Sequence, residues 1–438
     1  MNDPLLFARA FHFAATIVVA GAVFFVAYIG EPALREAKNA PNLAAVARTR
    51  FAWIAWIGLV VLLLSGVAWF VLTAASMSGR PLGDLASQGV LWIVLTQTDF
   101  GNDWLLRFVV ACALGGLFVH FLSVEGVTSR GLRAVTVILA AALVGALAWS
   151  GHAIGGQGIE GILHPAADVL HLIAAAAWVG MLLPLVVLLG GTGDDAQSLA
   201  IARIAVARFS TVGIVAVGTL LATGSVNTWY LAGSIAALSG SEYGRLLLAK
   251  IALFLVMVAI AAVNRFRLTP RIVPDGDPAG AQRALRRLRG NAVIEVTGGA
   301  MVICIVAALG ILPPASHAHH HGASDAIPAD ASFQHIHTEQ GMADVTIEPG
   351  HTGVARITLR LWDEDENPLA ARQVTLTLAP PAAGSKPITR TALQDADGRW
   401  QVKRIELSQP GNWTVTVTAM LGPGNLIVLA APIVIDAK

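Results

Sequence analysis

The sequence has little charge. Asp, Glu, Lys and Arg make up 13% of its 438 residues, and 55% of the residues are hydrophobic, whereas soluble domains carry roughly a quarter charged residues. So few charges would not cover a water-soluble protein of this length, which excludes an ordinary cytosolic enzyme. The formal net charge of +1 gives no attraction for a polyanion, so we expect no nucleic-acid partner. We predict a protein embedded in a lipid bilayer.

Cysteine is almost absent, since Cys112 and Cys304 are the only two. This excludes a disulfide framework and a thiolate metal cluster. The sequence also has no P-loop, no DKTG motif of phosphorylated aspartate pumps and no CxxC motif. An ATP-driven metal pump is therefore excluded, and we predict that the protein is not an enzyme.

Long apolar runs dominate residues 1–314. A helix that crosses the hydrocarbon core needs roughly 20 apolar residues, and eight stretches meet this length. They lie near residues 5–29, 51–75, 104–124, 133–151, 166–190, 209–231, 246–264 and 292–312. We expect the first to remain in the protein, because no basic segment with a short apolar core and a cleavage site is present. These runs predict an all-α polytopic membrane bundle of eight transmembrane helices.

Basic residues concentrate in alternate loops. The first, third, fifth and seventh loops carry Arg35, Lys38, Arg48, Arg50, Arg130, Arg133, Arg203, Arg208, Arg265, Arg267, Arg271, Arg283, Arg286, Arg287 and Arg289. The remaining loops hold little beyond Arg80 and Arg245. The positive-inside rule therefore predicts that both termini lie outside the cytoplasm.

The composition changes after Pro314. A His-rich linker over 315–342 precedes residues 343–438, where apolar and polar residues alternate, as in TVTVT at 414–418. Short alternating segments separated by turn residues are typical of antiparallel strands. We predict an all-β, immunoglobulin-like sandwich domain outside the membrane.

The two halves of the membrane domain resemble each other. His12 is followed nine residues later by Gly21, and His171 is followed nine residues later by Gly180. Further matches pair Arg50-Phe51 and Gly66 with Arg208-Phe209 and Gly224, TQTDFG (96–101) with SGSEYG (239–244), and Ser150–Ala153 with Ala315–Ala318. Because each half has an even number of helices, we predict two parallel four-helix repeats.

Histidines mark a candidate metal site on the outer side. The segment HPAADVLH places His164, Asp168 and His171 on one helical face, and His12 and His152 lie at the same level in the predicted orientation. Imidazoles with a carboxylate suit a transition metal such as copper. The alternative is that each imidazole bonds a backbone carbonyl of the bundle.

The linker is a second candidate for metal capture. Its possible donors are His317, His319, His320, His321, His335, His337 and Met342. A His-rich tract can bind Cu(II) or Zn(II) with little defined geometry, and the alternative is a flexible polar tether.

Other polar residues within the spans suggest weaker hypotheses. Arg9 takes the place of Asp168 in the repeat, so we expect an Arg9–Asp168 ion pair at the outer mouth, with snorkelling of Arg9 as the alternative. Glu295 is a candidate either for an ion pair with a loop arginine or for metal release. Soft donors for a copper relay are Cys112, Met257, Met301 and Cys304, although packing is their ordinary role.

Several of these motifs occur together in one known family. They are SGHAIGG (150–156), HPAADVLHLIAAAAWVG (164–180), ARFS (207–210), TGSVNTW (223–229), SEYGRLLLAK (241–250), NRFRLTP (264–270) and Glu295 with LPP (312–314). The membrane domain resembles the copper resistance protein D (CopD) family of bacterial inner-membrane proteins. The C-terminal part is similar to YtkA-like β-sandwich domains.

The resemblance implies copper handling in the inner membrane, alongside a small periplasmic copper-binding protein. It implies metal ligation by His152, His164 and His171, to which the repeat adds His12. We predict copper transport, with the choice between Cu(I) and Cu(II) left open. Two alternatives remain: a b-type haem protein with histidine ligands, and a membrane-tethered copper chaperone or sensor.

Overall fold

A computed structural model describes residues 4–35, 41–78, 81–86, 89–122, 129–150, 160–192, 195–232, 241–272, 278–310, 312, 328, 330–338, 341–363, 367–381, 386–395, 397–422 and 425–438. The chain divides into two compact units, residues 1–320 and 321–438. Each unit is described by itself.

In the described part of the first unit, eight helices are long and apolar enough to cross a membrane, which confirms the predicted helical bundle. They are α1 (Pro4–Leu34), α2 (Pro41–Met77), α3 (Asp99–Phe121), α4 (Arg130–Trp149), α5 (Leu163–Gly191), α6 (Ala196–Trp229), α7 (Glu242–Arg271) and α8 (Ala279–Leu309). A shorter helix, Val90–Gln97, precedes α3.

Some helices are longer than the apolar runs that predicted them. The helix α2 begins at Pro41 rather than near residue 51, and α8 begins at Ala279 rather than near residue 292. The extensions carry arginines, such as Arg283 and Arg286. Apolar length reports only the part of a helix that lipid covers, because backbone hydrogen bonds continue equally well in water.

The helices α3 and α7 each begin with a hydroxyl side chain that caps their first turn. The hydroxyl of Thr98 accepts a hydrogen bond from the Gly101 amide at 3.0 Å, and Ser241 caps α7 in the same way through Gly244 at 2.9 Å. These two caps lie in the matched motifs TQTDFG and SGSEYG, so equivalent positions in the two halves both carry an N-cap hydroxyl. Within the residues that the structure describes, three spans contain a π-helical turn, at Val26–Gly30 in α1, Ala176–Gly180 in α5 and Asn264–Leu268 in α7.

The helix α1 lies at the centre of the bundle. It packs against α2, α4, α5 and α8, and its middle, from Val19 to Val26, is almost wholly buried. Small residues along α1 and α5 allow the close backbone approach that stabilises helix pairs in lipid.

The second unit is an antiparallel all-β domain, as predicted. Its strands are β1 (Ser332–Thr338), β2 (Gly341–Glu348), β3 (Gly353–Trp362), β4 (Gln373–Ala379), β5 (Ile388–Gln394), β6 (Trp400–Leu407), β7 (Gly411–Gly422) and β8 (Asn425–Ile435). They pair in the order β1-β2-β3-β6-β5-β4-β7-β8. The two halves of this order join through a short β5–β6 contact and contribute to one apolar core that includes the fully buried Trp413.

The strand β1 falls inside the range 315–342 that the sequence assigns to the linker. It pairs with β2 along its whole length, from Ser332 opposite Ile347 to Thr338 opposite Gly341. Composition hides this strand, because its buried residue Ile336 lies between two histidines in the sequence. The hydrophobic alternation is therefore too sparse to read as a strand.

Candidate metal centre

His171 of α5 is held in one tautomer by α6. Its Nδ1 lies 3.0 Å from Oγ1 of Thr223, and that hydroxyl donates its own hydrogen to the Thr219 carbonyl at 2.7 Å. The oxygen of Thr223 must therefore accept from Nδ1–H. Nε2 of His171 then carries the lone pair, which is the form in which a neutral imidazole binds a metal ion.

His12 of α1 has the same arrangement in the first repeat. Its Nδ1 lies 3.2 Å from the Leu62 carbonyl and 3.5 Å from Oγ of Ser65, whose hydroxyl is 2.6 Å from the Val61 carbonyl. A carbonyl oxygen only accepts, so Nδ1 again carries the hydrogen. Ser65 and Thr223 are equivalent in the repeat, and both histidines present Nε2 as the potential ligand.

The surroundings of His12 are cationic. The ring of Trp69 lies 5.3 Å from the imidazole, and the guanidinium groups of Arg9 and Arg107 lie 5.7 Å and 4.9 Å from the Trp69 ring. Asp103 pairs with Arg107 at 2.7 Å. Two guanidinium groups and one carboxylate leave an excess of positive charge, which disfavours a metal cation at His12.

The surroundings of His171 differ from those of His12 at three positions that are equivalent in the repeat. Asp168 replaces Arg9, Asn227 replaces Trp69 and Lys250 replaces Arg107. Asn227 donates to Oδ1 of Asp168 at 2.9 Å. Both His164, one turn earlier on α5, and Lys250 act electrostatically on Asp168. The carboxylate offsets the ammonium charge, so this half is the better place for a metal ion.

The predicted Arg9–Asp168 ion pair is wrong. Arg9 donates through Nη1 to the Gly310 carbonyl at 2.8 Å, whereas Asp168 accepts from Asn227. The carbonyls of the last turn of α8 have no partner within the helix, and the Arg9 guanidinium caps one of them. Asp168 finds its partner within its own repeat, on α6.

The soft donors do not form an internal relay. Cys112 and Cys304 are exposed at the surface of the bundle, and Met301 is 54% exposed. Met257 is the exception, because it is buried beside Gly298 and belongs to the same apolar cluster as Trp178. Met301 and Cys304 lie three residues apart, so they share one face of α8, and that face points away from the bundle.

Two of the linker donors belong to a β hairpin. Nδ1 of His335 on β1 lies 2.6 Å from Oδ1 of Asp344 on β2. The register places His337 opposite Met342, so these four positions lie on one face of the hairpin. The side chain of His337 lies outside the described residues, as do His152, His317, His319, His320 and His321.

Within the described ranges, no three His, Cys, Asp or Glu side chains converge to hold a metal ion. Sequence reasoning also missed the residues that orient the histidines, namely Thr223, Ser65 and Asn227. The repeat carried the signal for them, because Ser65 and Thr223 immediately precede the matched glycines Gly66 and Gly224. Arg107 and Lys250 likewise lie nine residues after the matched caps Thr98 and Ser241.

Comparison with known proteins places the membrane domain in a family. Residues 203–309 match the model described as Copper resistance protein D, and residues 1–162 match the model described as Copper resistance protein D-like, N-terminal domain.

Three curated relatives cover most of the membrane domain. Copper resistance protein D of Pseudomonas syringae pv. tomato is 31% identical over 319 residues, which is 72% of this chain and 98% of that protein. Inner membrane protein YebZ of Escherichia coli (strain K12) is 30% identical over 70% of this chain and 97% of its own length. Copper transport protein CutJ of Bacillus subtilis (strain 168) is 27% identical over 80% of this chain and 61% of its own length. The chain is therefore a multi-pass membrane protein that belongs to the copper resistance protein D family.

Proposed function

We propose that this protein binds copper ions on the extracytoplasmic side of α5–α8 and passes them across the inner membrane, without catalysing a reaction. The observation that carries the proposal is the His171 imidazole. Its Nδ1–H is fixed by Thr223, which leaves Nε2 as the ligand, and Asp168 lies three residues earlier on the same helical face. Relatives named for copper resistance and copper transport support copper as the cargo.

The donor chemistry suits this cargo. Imidazole and carboxylate ligands bind copper well, and an outer partner such as Thr223 fixes the direction of the ligand lone pair. We assign His171, His164 and Asp168 to the site, with His152 as a further ligand from the family resemblance. The three described side chains do not converge on one point, so copper binding would require them to move together. We rank His12 below these because of the guanidinium groups of Arg9 and Arg107.

The β1–β2 hairpin is the proposed capture site of the second unit. Asp344 orients the His335 imidazole, and the register pairs position 337 with Met342 on the same face of the hairpin. An imidazole and thioether set accepts Cu(I) more readily than hard cations. The histidines at 317–321 would add capacity, and a small extracytoplasmic copper-binding protein is the proposed donor.

Ligation of b-type haem by these histidines is the alternative. The names of the relatives favour copper over haem, because two of them are named for copper resistance and copper transport.

The test is copper loading of the purified protein, with uptake of copper into vesicles that contain it. We expect His171→Ala to lower both copper stoichiometry and uptake, while the control His120→Ala, at an exposed position on α3, leaves both unchanged. Copper binding without any uptake by the wild type would support a tethered chaperone instead. A Soret band in copper-free protein, or full uptake by His171→Ala, would overturn the proposal.

A further inference from the structure

A cavity of about 340 Å³ lies within α5–α8, apart from the histidine site. Most of its lining is apolar, with Trp178 on α5 and Phe209 on α6. Its polar lining includes Ser210 on α6, Asn264 and Arg265 on α7, and Glu295 on α8. An ionisable group inside a membrane bundle is costly and is a functional candidate, so Glu295 needs an explanation that the copper site does not supply.

Glu295 ends a short chain of hydrogen bonds and keeps one oxygen free. Asn291 donates to Oδ1 of Asn264 at 2.7 Å, and Asn264 donates to Oε1 of Glu295 at 2.8 Å. The residue is 1% exposed, and its Oε2 makes no hydrogen bond of standard geometry, although the Trp178 indole is close enough to act on the carboxyl group as a donor. Most buried polar atoms have a partner, so an unsatisfied carboxylate oxygen at this depth calls for an explanation.

None of the residues that the structure describes forms an ion pair with this carboxyl group. Among the described residues that line the cavity, Arg265 is the other charged one, and its Nη1 donates to Oγ of Ser210 at 2.6 Å. The helix α1 packs against α8, but Arg9 bonds Gly310 and Glu31 pairs with Arg48. A proton on Oε2 is therefore the simplest way to remove the buried charge.

The cavity and the histidine site lie at different depths. Lys250, beside His171, and Asn264, beside Glu295, are both on α7, and their separation corresponds to about 21 Å along a helix. Between them Trp178 and Phe254 pack edge to face at 5.8 Å, together with buried Met257. This apolar layer separates the two polar sites.

We propose that Glu295 is a proton-binding site that couples copper movement to proton movement in the opposite direction. Oε2 takes a proton from a hydronium ion that enters the cavity, so one O–H bond of the hydronium breaks as one forms on Oε2. The carboxyl group gives this proton back to a water molecule when a copper ion passes. No electrons are transferred in this step. The carboxyl and amide oxygens around the cavity are hard donors, so they suit a proton better than Cu(I). This inference rests on the proposed copper transport.

The test uses the full-length protein in lipid vesicles, with radioactive copper as the probe and an imposed pH gradient that can be reversed. For the exchange of one proton per copper ion, each pH unit should change wild-type copper accumulation by up to about tenfold. Glu295→Gln keeps the Oε1 acceptor for Asn264, so it should fold and retain copper-for-copper exchange. It should lose the response to the gradient.

The matched control is Glu242→Gln, which removes an exposed carboxyl group from the first turn of α7 and should keep the response. Wild-type copper uptake that ignores the gradient would overturn the coupling while leaving the proposed transport intact. A gradient response retained by Glu295→Gln would also overturn it. Absence of any wild-type copper movement would overturn the proposed function itself.

Discussion

Gly21 of α1 and Gly180 of α5 touch through their backbones. A Cβ added to Gly21 would overlap the Gly180 backbone, and one added to Gly180 would overlap the carbonyl of Ile17. The two glycines are 159 positions apart, as are His12 and His171. The first helices of the two repeats therefore cross at equivalent residues, as expected for two parallel halves related by an axis along the membrane normal.

This crossing predicts that Gly21→Ala destabilises the bundle. The added methyl group meets backbone atoms, which cannot rotate away, so α1 and α5 must separate; we expect a loss of about 3 kcal/mol in unfolding free energy. Thermal unfolding in detergent is the measurement. The control is Gly116→Ala on α3, where the added Cβ meets no atom within 4 Å. Equal melting temperatures for the two variants would contradict the close crossing.

Thr223→Val tests the orientation of His171. The valine is close in shape but offers no acceptor to Nδ1–H, so the imidazole loses its fixed tautomer. We expect copper affinity to fall by about 10- to 100-fold, as for other outer partners of metal-bound histidines. Equilibrium dialysis with copper is the measurement. Thr211→Val is the matched control on α6, because that hydroxyl bonds only its own helix at Ala207; unchanged affinity in both variants would refute the role of Thr223.

Asp344→Asn tests the hairpin site in the second unit. The amide removes the carboxylate that holds His335 at 2.6 Å, so we expect weaker copper capture, seen as slower uptake at low copper and normal uptake at high copper. His351→Ala is the control in the same domain, since its Nδ1 lies 3.0 Å from the Thr352 carbonyl. If Asp344→Asn and His351→Ala take up copper at the same rate at every copper concentration, the β1–β2 hairpin is not a copper-capture site.

The Asp195 carboxylate caps the start of α6, and we expect this cap to stabilise the protein in a pH-dependent way. Hydrogen bonds from the Ser198 side chain and backbone lower the pKa of Asp195 below its ordinary value of 3.8. The stabilisation of the folded state by the Asp195 carboxylate is therefore complete above pH 3.8, the ordinary pKa. It disappears as the pH falls through the lowered pKa of the folded state.

Asp195→Ala should cost about 1 kcal/mol at pH 7. The cost should shrink at pH 3, as measured by thermal unfolding. Asp195→Asn, an uncharged cap, serves as the control and should lose little stability at either pH. A cost of Asp195→Ala that stays the same at both values would show that the carboxylate is not the cap.

Much of the fold follows from local pattern. Long apolar runs determine the number of spans, because lipid cannot bond an exposed backbone and only helices satisfy it internally. Alternating residues such as those at 414–418 predicted the strands. The strand β1 is not predictable from this pattern, because its histidines interrupt the apolar alternation. Only its pairing with β2 defines it.

The candidate site was predictable only in part. The spacing of His164, Asp168 and His171 on one helix is a property of the sequence, and so is the repeat that matches His12 with His171. Which partner each side chain takes was not predictable, as the Arg9–Gly310 and Asp168–Asn227 contacts show. Helical periodicity also cannot tell which face of α8 points away from the bundle. The structure places Met301 and Cys304 on that outer face, which excludes them from an internal copper relay.

The sequence by itself determined a membrane protein of eight spans, two related halves and a β domain, because these depend on composition and period. Only the tertiary structure decided that Thr223 fixes the tautomer of His171, that arginines surround His12 and that Glu295 keeps an unpartnered oxygen beside a cavity. Those relationships join residues on different helices. They depend on which helix faces pack against each other, which no local pattern encodes.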